Sequence, residues 1–160
     1  MQRARVRLRE RLPSGKATMA PTVDASAAER NLLKKYVEAS ETADFRPFES
    51  IIREDANFRM PPEPGMAAGR EAMFKLWIES GFGSERFGRL SCVITDANLQ
   101  PAVACYRCQL GESAWRALAL DVLRIEDGMI TEIVVFMASN FPAFGLPLIM
   151  DEAPGMNQCH

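Results

Sequence analysis

The spacing of apolar residues along the chain changes near residue 87, from a helical period to an alternating one. In the first half, Ser26 and Glu29 have the form of a capping box, and the apolar residues that follow fall on one helical face. Asp44 is placed to cap a second helix, and a third is predicted over about 69–80. Between them, residues 55–60 alternate and predict a short strand.

The second half predicts four strands joined by short turns that contain Gly, Asn or Asp. Helices followed by consecutive strands are typical of an α+β fold, with three helices on one face of a curved antiparallel sheet. A sheet of this kind forms a cone with an apolar cavity at its open end. The four predicted strands are 87–95, 102–110, 114–125 and 129–137.

Charge divides the chain into two parts. Six basic residues against Glu10 alone give residues 1–16 a charge of +5, and because the whole chain carries −2, the remainder carries −7. Residues 1–12 form a predicted basic helix, 13–25 a linker, 26–150 the folded domain and 151–160 a C-terminal tail. No apolar run is long enough to cross a membrane, and the N-terminus does not resemble a signal peptide, so we expect a cytoplasmic protein.

The cysteines do not predict a metal site. Cys105 and Cys108 are spaced as CxxC, but they lie in a predicted strand, where residues three apart point to opposite faces. The sequence has one histidine, His160, at its end. We therefore expect buried free thiols, no metal and no cofactor.

The strand predicted over 114–125 has two apolar faces, and one of them carries a carboxylate. Strict alternation puts Asp121 with Ala119 and Leu123 on one face, and puts Leu118, Leu120 and Val122 on the other. Because the second face also needs cover from water, we expect a homodimer.

Several stretches resemble a known family. "LDVLRIEDGMITEI" resembles the closing hairpin of SnoaL-like polyketide cyclases, within the nuclear transport factor 2-like superfamily. "YVEASETADFRPFESIIREDANFRMPPEP", "GREAMFKLW" and "NFPAFGLP" resemble the SnoaL-like C-terminal domain of some extracytoplasmic-function sigma factors. "QRARVRLRERLP" resembles the last helix of sigma region four. The sequence shows no region two, so we expect no transcription initiation and no specific DNA binding from this chain.

The resemblance implies a role for Asp121, since an Asp at the matching position of the cyclases acts as general acid/base in an aldol ring closure. Two other interpretations stay open: anchoring of a ligand without chemistry, or a structural ion pair with Arg107 or Arg116. The second carboxylate, Glu132, faces the Asp121 side if the 127–128 turn has two residues, and the other side if a bulged three-residue turn is formed. The remaining candidates for lining a ligand cavity are Tyr36, Phe58, Met60, Phe74, Trp77 and Tyr106.

Three functions are compatible with these residues. The first is a domain that binds a hydrophobic small molecule and regulates a sigma factor, contacting sigma regions or RNA polymerase if these are fused upstream. The second is a cyclase or isomerase that uses Asp121. The third is a docking or dimerisation module whose cavity is filled by Trp77 and Phe58.

Overall fold

A computed structural model describes residues 26–63 and 66–154 of the 160-residue chain. It has three α-helices, a 3-10 helix and seven strands. Among the described residues, no helix is long and apolar enough to span a membrane. The helices are α1 (Ala27–Thr42), α2 (Phe45–Ile51), α3 (Arg70–Glu79) and the 3-10 helix (Ala138–Phe144). The strands are β1 (Ile52–Arg59), β2 (Ala67–Ala68), β3 (Arg89–Ala97), β4 (Gln100–Cys108), β5 (Trp115–Glu126), β6 (Met129–Met137) and β7 (Ile149–Met150).

The predicted helix starts are confirmed. The Ser26 side chain accepts a hydrogen bond from the backbone N–H of Glu29 at 3.1 Å, which satisfies one of the free donors of the first turn of α1. The Asp44 carboxylate does the same for Arg46 at the start of α2, at 3.0 Å. These local caps fix where the two helices that cover the sheet begin.

The seven strands form one curved sheet. The strand order is β2-β1-β6-β5-β4-β3, with β7 added at the end of β5. All neighbours pair antiparallel except β1 and β6, which pair parallel. The predicted α+β class is confirmed. β1 enters the sheet directly from α2 and lies on the far side of β6 from the hairpin partner β5.

The three helices pack on the concave face of this sheet. The core between them combines apolar residues of α1 and α2 with inward side chains of β1, β4, β5 and β6. α1 also protects the edge strand β3, because Glu41 Oε1 accepts a hydrogen bond from Cys92 N at 2.8 Å.

The convex face of the sheet is covered by the chain's own C-terminal segment. Phe141 of the 3-10 helix is fully buried and packs edge-on against Tyr106, with ring centroids 5.5 Å apart. Leu120 and Val122 of β5 are buried in the same cluster, together with Leu146. We expected these positions to need a second subunit to cover them from water. That premise is wrong, because residues 138–150 of the same chain supply much of the cover.

A bulge in β5 changes the predicted faces of this strand. Tyr106 pairs with Ala117, but Cys105 pairs with Ala119, so Leu118 is an extra residue in β5. Ala117 consequently packs with the convex cluster, whereas Leu118 lines the cavity on the concave side. Strict alternation predicted Leu118 on the convex face. This prediction is wrong, because the bulge shifts the alternation of side chains by one residue.

Three predicted segments of the chain lie wholly or largely outside the described residues. The predicted basic helix 1–12 and linker 13–25 precede Ser26, the first residue that the structure describes. Of the predicted tail, only 151–154 are described. The described part of the chain begins at the cap of α1, and the predicted domain boundary at residue 26 stays a prediction.

Candidate functional site

An open cavity of about 140 Å³ lies between the helices and the concave face of the sheet. Aromatic side chains form much of its lining. Trp77 stands at the centre of this group, with its ring centroid 5.2 Å from Phe48, 5.9 Å from Phe58 and 6.1 Å from Phe82. The residues that line the cavity are Tyr36, Ser40, Phe48, Phe58, Trp77, Ser80, Phe82, Phe87, Leu90, Cys105, Leu118, Ala119, Asp121 and Val135.

Asp121 lies at the centre of β5, between Val103 of β4 and Val135 of β6. Its Oδ2 accepts a hydrogen bond from the Tyr36 hydroxyl at 2.8 Å and a weaker one from the Cys105 thiol at 3.7 Å. Its Oδ1 accepts none from the residues that the structure describes, and it is not sealed from the cavity. One carboxylate oxygen is thus held by the protein and the other is open to the cavity.

Burial governs the acidity of this group. Removal from water raises the pKa of Asp121 from 3.8 to about 6, although the hydrogen bonds from Tyr36 and Cys105 act in the opposite direction. Burial and the nearby carboxylate also raise the pKa of Tyr36 well above its usual value of 10.0, so its hydroxyl stays a donor. Near neutral pH, Asp121 can therefore exist in both the protonated and the ionised form.

The structure contains no ion pair between Asp121 and an arginine in its described part. Arg107 and Arg116, the two arginines considered as partners, lie near the ends of their strands, and Arg116 pairs instead with Glu112 at 3.7 Å. Asp121 at the strand centre faces Val103, four residues before Arg107. The interpretation of Asp121 as one half of a structural ion pair is wrong, because the sheet register separates the charges.

The structure brings together four of the predicted site residues. Tyr36, Phe58, Trp77 and Asp121 line the same cavity. Met60 and Phe74 pack against the surrounding core and do not line it.

Tyr106 is a correction to the predicted site. Neighbouring residues of β4 point to opposite faces, so Tyr106 lies on the convex side, while Cys105 lies on the cavity side. The Tyr106 hydroxyl donates to the Pro147 carbonyl at 2.9 Å, which ties the C-terminal segment to the sheet.

The second carboxylate, Glu132, is also on the far side of the sheet from Asp121. The turn has two residues, Asp127 and Gly128, both with positive φ. A further irregularity lies inside the hairpin: Arg124 pairs with Glu132, but Ile125 pairs with Ile130, so Thr131 is extra. Glu132 therefore leaves the cavity side and pairs with Arg59 at 2.7 Å.

Sequence reasoning missed several lining residues. Phe48 lies in the short helix α2, and Phe82 lies in a turn-rich stretch without a clear period. Phe87 was predicted as the first residue of a strand, but the strand begins at Arg89 and Phe87 lies in the turn before it. Cys105 could have been found from the alternation of β4, because it shares a face with Val103. Leu118 could not have been found in this way, because the pattern of apolar and polar residues does not show the bulge that turns this side chain toward the cavity.

No group of three or more His, Cys, Asp or Glu residues that could hold a metal ion occurs within residues 26–63 and 66–154. Cys92 and Cys105 face each other across β3 and β4, with their sulfur atoms 3.5 Å apart. Cys108 lies in the other core cluster, as expected for a residue three positions from Cys105 in a strand.

The chain is similar to known proteins in sequence. It is 30% identical over 148 residues to the ECF RNA polymerase sigma factor SigG of Mycobacterium tuberculosis, in strains H37Rv and CDC 1551. This similarity covers 92% of the chain but 39% of the sigma factor, and it corresponds to the C-terminal SnoaL-like part. The chain is therefore similar in sequence to the C-terminal part of an extracytoplasmic-function sigma factor. No family model matches it.

Solved structures place the SnoaL-like domain in the nuclear transport factor 2-like fold. A protein of this fold from Burkholderia xenovorans, of unknown function, has a TM-score of 0.53 at 18% identity, over 80% of this chain and 88% of that one. A candidate ketosteroid isomerase of Kribbella flavida has a TM-score of 0.54 at 17% identity, over 83% and 87%. A candidate polyketide cyclase of Sinorhizobium meliloti gives 0.52 at 14%, over 72% and 99%. These likenesses establish the fold of the sigma-factor homologue.

Proposed function

We propose that the SnoaL-like domain binds a small, mainly apolar molecule in its cavity and that this binding regulates a sigma factor. The supporting observation is the arrangement at Asp121. The cavity is apolar and lined by aromatic rings, and it contains one carboxylate, that of Asp121. Tyr36 donates a hydrogen bond to its Oδ2, and its Oδ1 is open to the cavity. This oxygen is open to the cavity, so a ligand hydroxyl or amide N–H can reach it and donate a hydrogen bond to it.

The other polar groups of the lining support Asp121 as the anchor. The hydroxyls of Ser40 and Ser80 donate to carbonyls of their own helices, those of Tyr36 and Trp77. The Tyr36 hydroxyl is already committed to Asp121. Apolar pockets with a small number of placed polar groups are typical of ligand sites. The carboxylate thus fixes the orientation of the ligand, and the aromatic rings supply most of the buried area.

Trp77 offers a direct test of binding. Because Trp115 lies on the convex face, the Trp115→Phe variant leaves Trp77 as the one tryptophan and a reporter of the cavity. Small aromatic alcohols should change its emission, and Asp121→Asn in the same background should weaken their binding. Absence of any change in Trp77 emission across such a set, with the protein folded, would count against the proposal.

A second candidate function, a cyclase or isomerase, is favoured by the acidity of Asp121. With a pKa of about 6, this group can both accept and return a proton near neutral pH, as a general acid/base must. Turnover of a polyketide-like or steroid-like substrate that is lost in Asp121→Asn would support catalysis. Binding without turnover would support the regulatory function alone.

The regulatory part of the proposal depends on the context of the domain. The chain spans 39% of the length of the sigma factors it matches, so their activity and partners are proposals for it. We infer that sigma regions two and four, when joined upstream in frame, place this domain at RNA polymerase in the cytoplasm. Run-off transcription by such a joined protein should change with ligand, and the Asp121→Asn change should remove that response. Equal transcription with and without bound ligand would contradict regulation.

A further inference from the structure

Two arginines lie side by side at the mouth of the cavity. Arg107 of β4 and Arg116 of β5 are directly opposite each other in the register of the sheet. Directly paired residues share a face, and Arg107 shares its face with Cys105, which lines the cavity. The neighbours of Arg116, Trp115 and Ala117, belong to the convex cluster, so Arg116 also points to the cavity side.

The surroundings of Arg107 place it at the rim. Its guanidinium carbon lies 5.2 Å from the ring centroid of Phe87, a lining residue, and its partner across β3 is Leu90, another lining residue. Phe87 and Leu90 are partly exposed, in contrast to the buried Tyr36 at the inner end. Arg107 itself stands just outside the lining, where an occupant would emerge from the cavity.

These charges are poorly compensated. Like charges directly opposite each other in a sheet destabilise it. In the part of the chain that the structure describes, Arg107 forms no ion pair, and its one interaction is the stack on Phe87. Arg116 has Glu112 at 3.7 Å, and both of these side chains are substantially exposed. An anion bound between the two guanidinium groups would relieve their repulsion.

We propose that the ligand of this cavity is an amphipathic organic acid, whose carboxylate is bound by Arg107 and Arg116 while its apolar body fills the cavity. This proposal rests on the proposed function and names the ligand class. Asp121 pairs with Val103, four residues before Arg107, so the backbone positions that carry the two polar ends of the site are about 13 Å apart along β4. The ligand is therefore expected to carry a hydroxyl or N–H at one end, for Oδ1 of Asp121, and a carboxylate at the other.

Matched pairs of acids and amides test the charge at the mouth. The probes are 6-hydroxy-2-naphthoate and 3-(4-hydroxyphenyl)propanoate, each compared with its carboxamide by isothermal titration calorimetry at pH 8. Both probes can accept hydrogen bonds from arginine, but the acid also brings a full negative charge to the two guanidinium groups. At least one acid should therefore bind about tenfold or more tightly than its amide. Arg107→Gln should remove this preference, because it should weaken the binding of the acid far more than that of the amide.

Arg89→Gln is the control. Arg89 stacks on Trp115, with its guanidinium carbon 5.4 Å from that ring, and so lies on the convex side of the same sheet. This variant should keep the preference for the acid. Acids and amides that bind equally well in the wild type, or an acid preference that survives Arg107→Gln, would overturn the proposal. If the amides still bind and Asp121→Asn weakens them, the proposed function stands without it. If neither acids nor amides bind, both fail.

Discussion

The hydroxyl of Tyr36 donates a 2.8 Å hydrogen bond to Oδ2 of Asp121, joining the middle of helix α1 to the middle of strand β5. The two residues are 85 positions apart in the chain. Their contact holds the carboxylate in one orientation and turns its other oxygen toward the cavity. Burial raises the pKa of Asp121, and the hydrogen bond from Tyr36 acts against this rise.

The Asp121→Asn variant is expected to remove a pH dependence of stability. The folded-state pKa is about 6 and the ordinary value is 3.8, so between these values the folded protein binds more protons than the unfolded chain. Stability is then highest at low pH and falls as pH rises through this window. The loss is about 3 kcal/mol for a shift of roughly two pKa units. Well above the folded-state pKa of about 6, ionisation of Asp121 causes no further loss of stability.

Urea unfolding at several pH values measures this effect as the difference between wild type and variant. Taking the difference cancels other carboxylates, including Asp44 and Asp55, whose pKa values are lowered by hydrogen bonds to Arg46 and Arg53. Asp127→Asn, at the exposed turn of the same hairpin, is the control and should behave as wild type. A wild type and an Asp121→Asn variant that lose stability in parallel from pH 4 to pH 7 would mean that Asp121 ionises normally.

The Tyr36→Phe variant should raise the pKa of Asp121 above its wild-type value. The Tyr36 hydrogen bond favours the ionised carboxylate, so its removal leaves burial less opposed. At pH 8 the variant should also lose about 1.5–3 kcal/mol of stability, the range for hydrogen bonds to charged groups. Carboxyl carbon chemical shifts of Asp121, followed by NMR through a pH titration, give the pKa directly.

Tyr106→Phe is the matched control for this experiment. It removes a tyrosine hydroxyl that is bonded to the Pro147 carbonyl on the opposite face of the sheet. Its effect should be on stability, with no change in the titration of Asp121. If both tyrosine variants shifted that titration equally, the cause would be a general loosening of the sheet.

Local features of the site were predictable from the sequence, and the features that depend on a single inserted residue were not. Ser26 and Asp44 cap their helices as expected, because capping involves residues three positions apart or fewer. Asp121 was singled out because one carboxylate in an apolar strand is unusual. The extra residues at Leu118 and Thr131 reverse the faces on either side of them. Nothing in an apolar or alternating pattern marks where such an insertion occurs.

The tertiary contacts of the site were also beyond sequence reasoning. The partner of Asp121 is Tyr36, and this pairing depends on how α1 is packed on the sheet. The cover of the convex face comes from residues 138–150, which contain two prolines and show neither helical nor alternating spacing. Both cases require knowledge of which surfaces meet, and periodicity describes only the surface of one element at a time.

Truncation of Phe141 is expected to destabilise the domain strongly. This side chain is fully buried on the convex face against Tyr106, and large-to-small changes at such positions typically cost about 3–5 kcal/mol. Phe144→Ala, at a half-buried position of the same 3-10 helix, should cost less. Chemical denaturation compares the two variants, and similar small losses would mean that this segment does not cover the sheet.

The same variants bear on the expected homodimer. The C-terminal segment covers much of the convex face. Light scattering at micromolar concentration therefore tests whether the wild-type protein forms a dimer although this face is not exposed. A Phe141→Ala protein that stays folded should associate more than wild type, since it uncovers apolar surface around Tyr106 and Leu120. If the two proteins had equal masses in solution, the oligomeric state would not depend on how well this face is covered.

Removal of residues 1–20 should leave the folded domain and its cavity unchanged. The described chain begins at the Ser26 cap, and the lining residues all follow it.

The removed segment carries the net +5 of residues 1–16, so the intact chain should have a weak affinity for DNA that does not depend on sequence. This affinity should fall steeply with salt, because a small number of arginine–phosphate contacts releases counterions. Fluorescence anisotropy at 50 and 200 mM salt, with and without the segment, measures it, and equal thermal midpoints confirm an intact domain. Tight, sequence-selective binding to a promoter −35 element at physiological salt would contradict the prediction, since residues 1–12 would then recognise DNA without the rest of a helix-turn-helix.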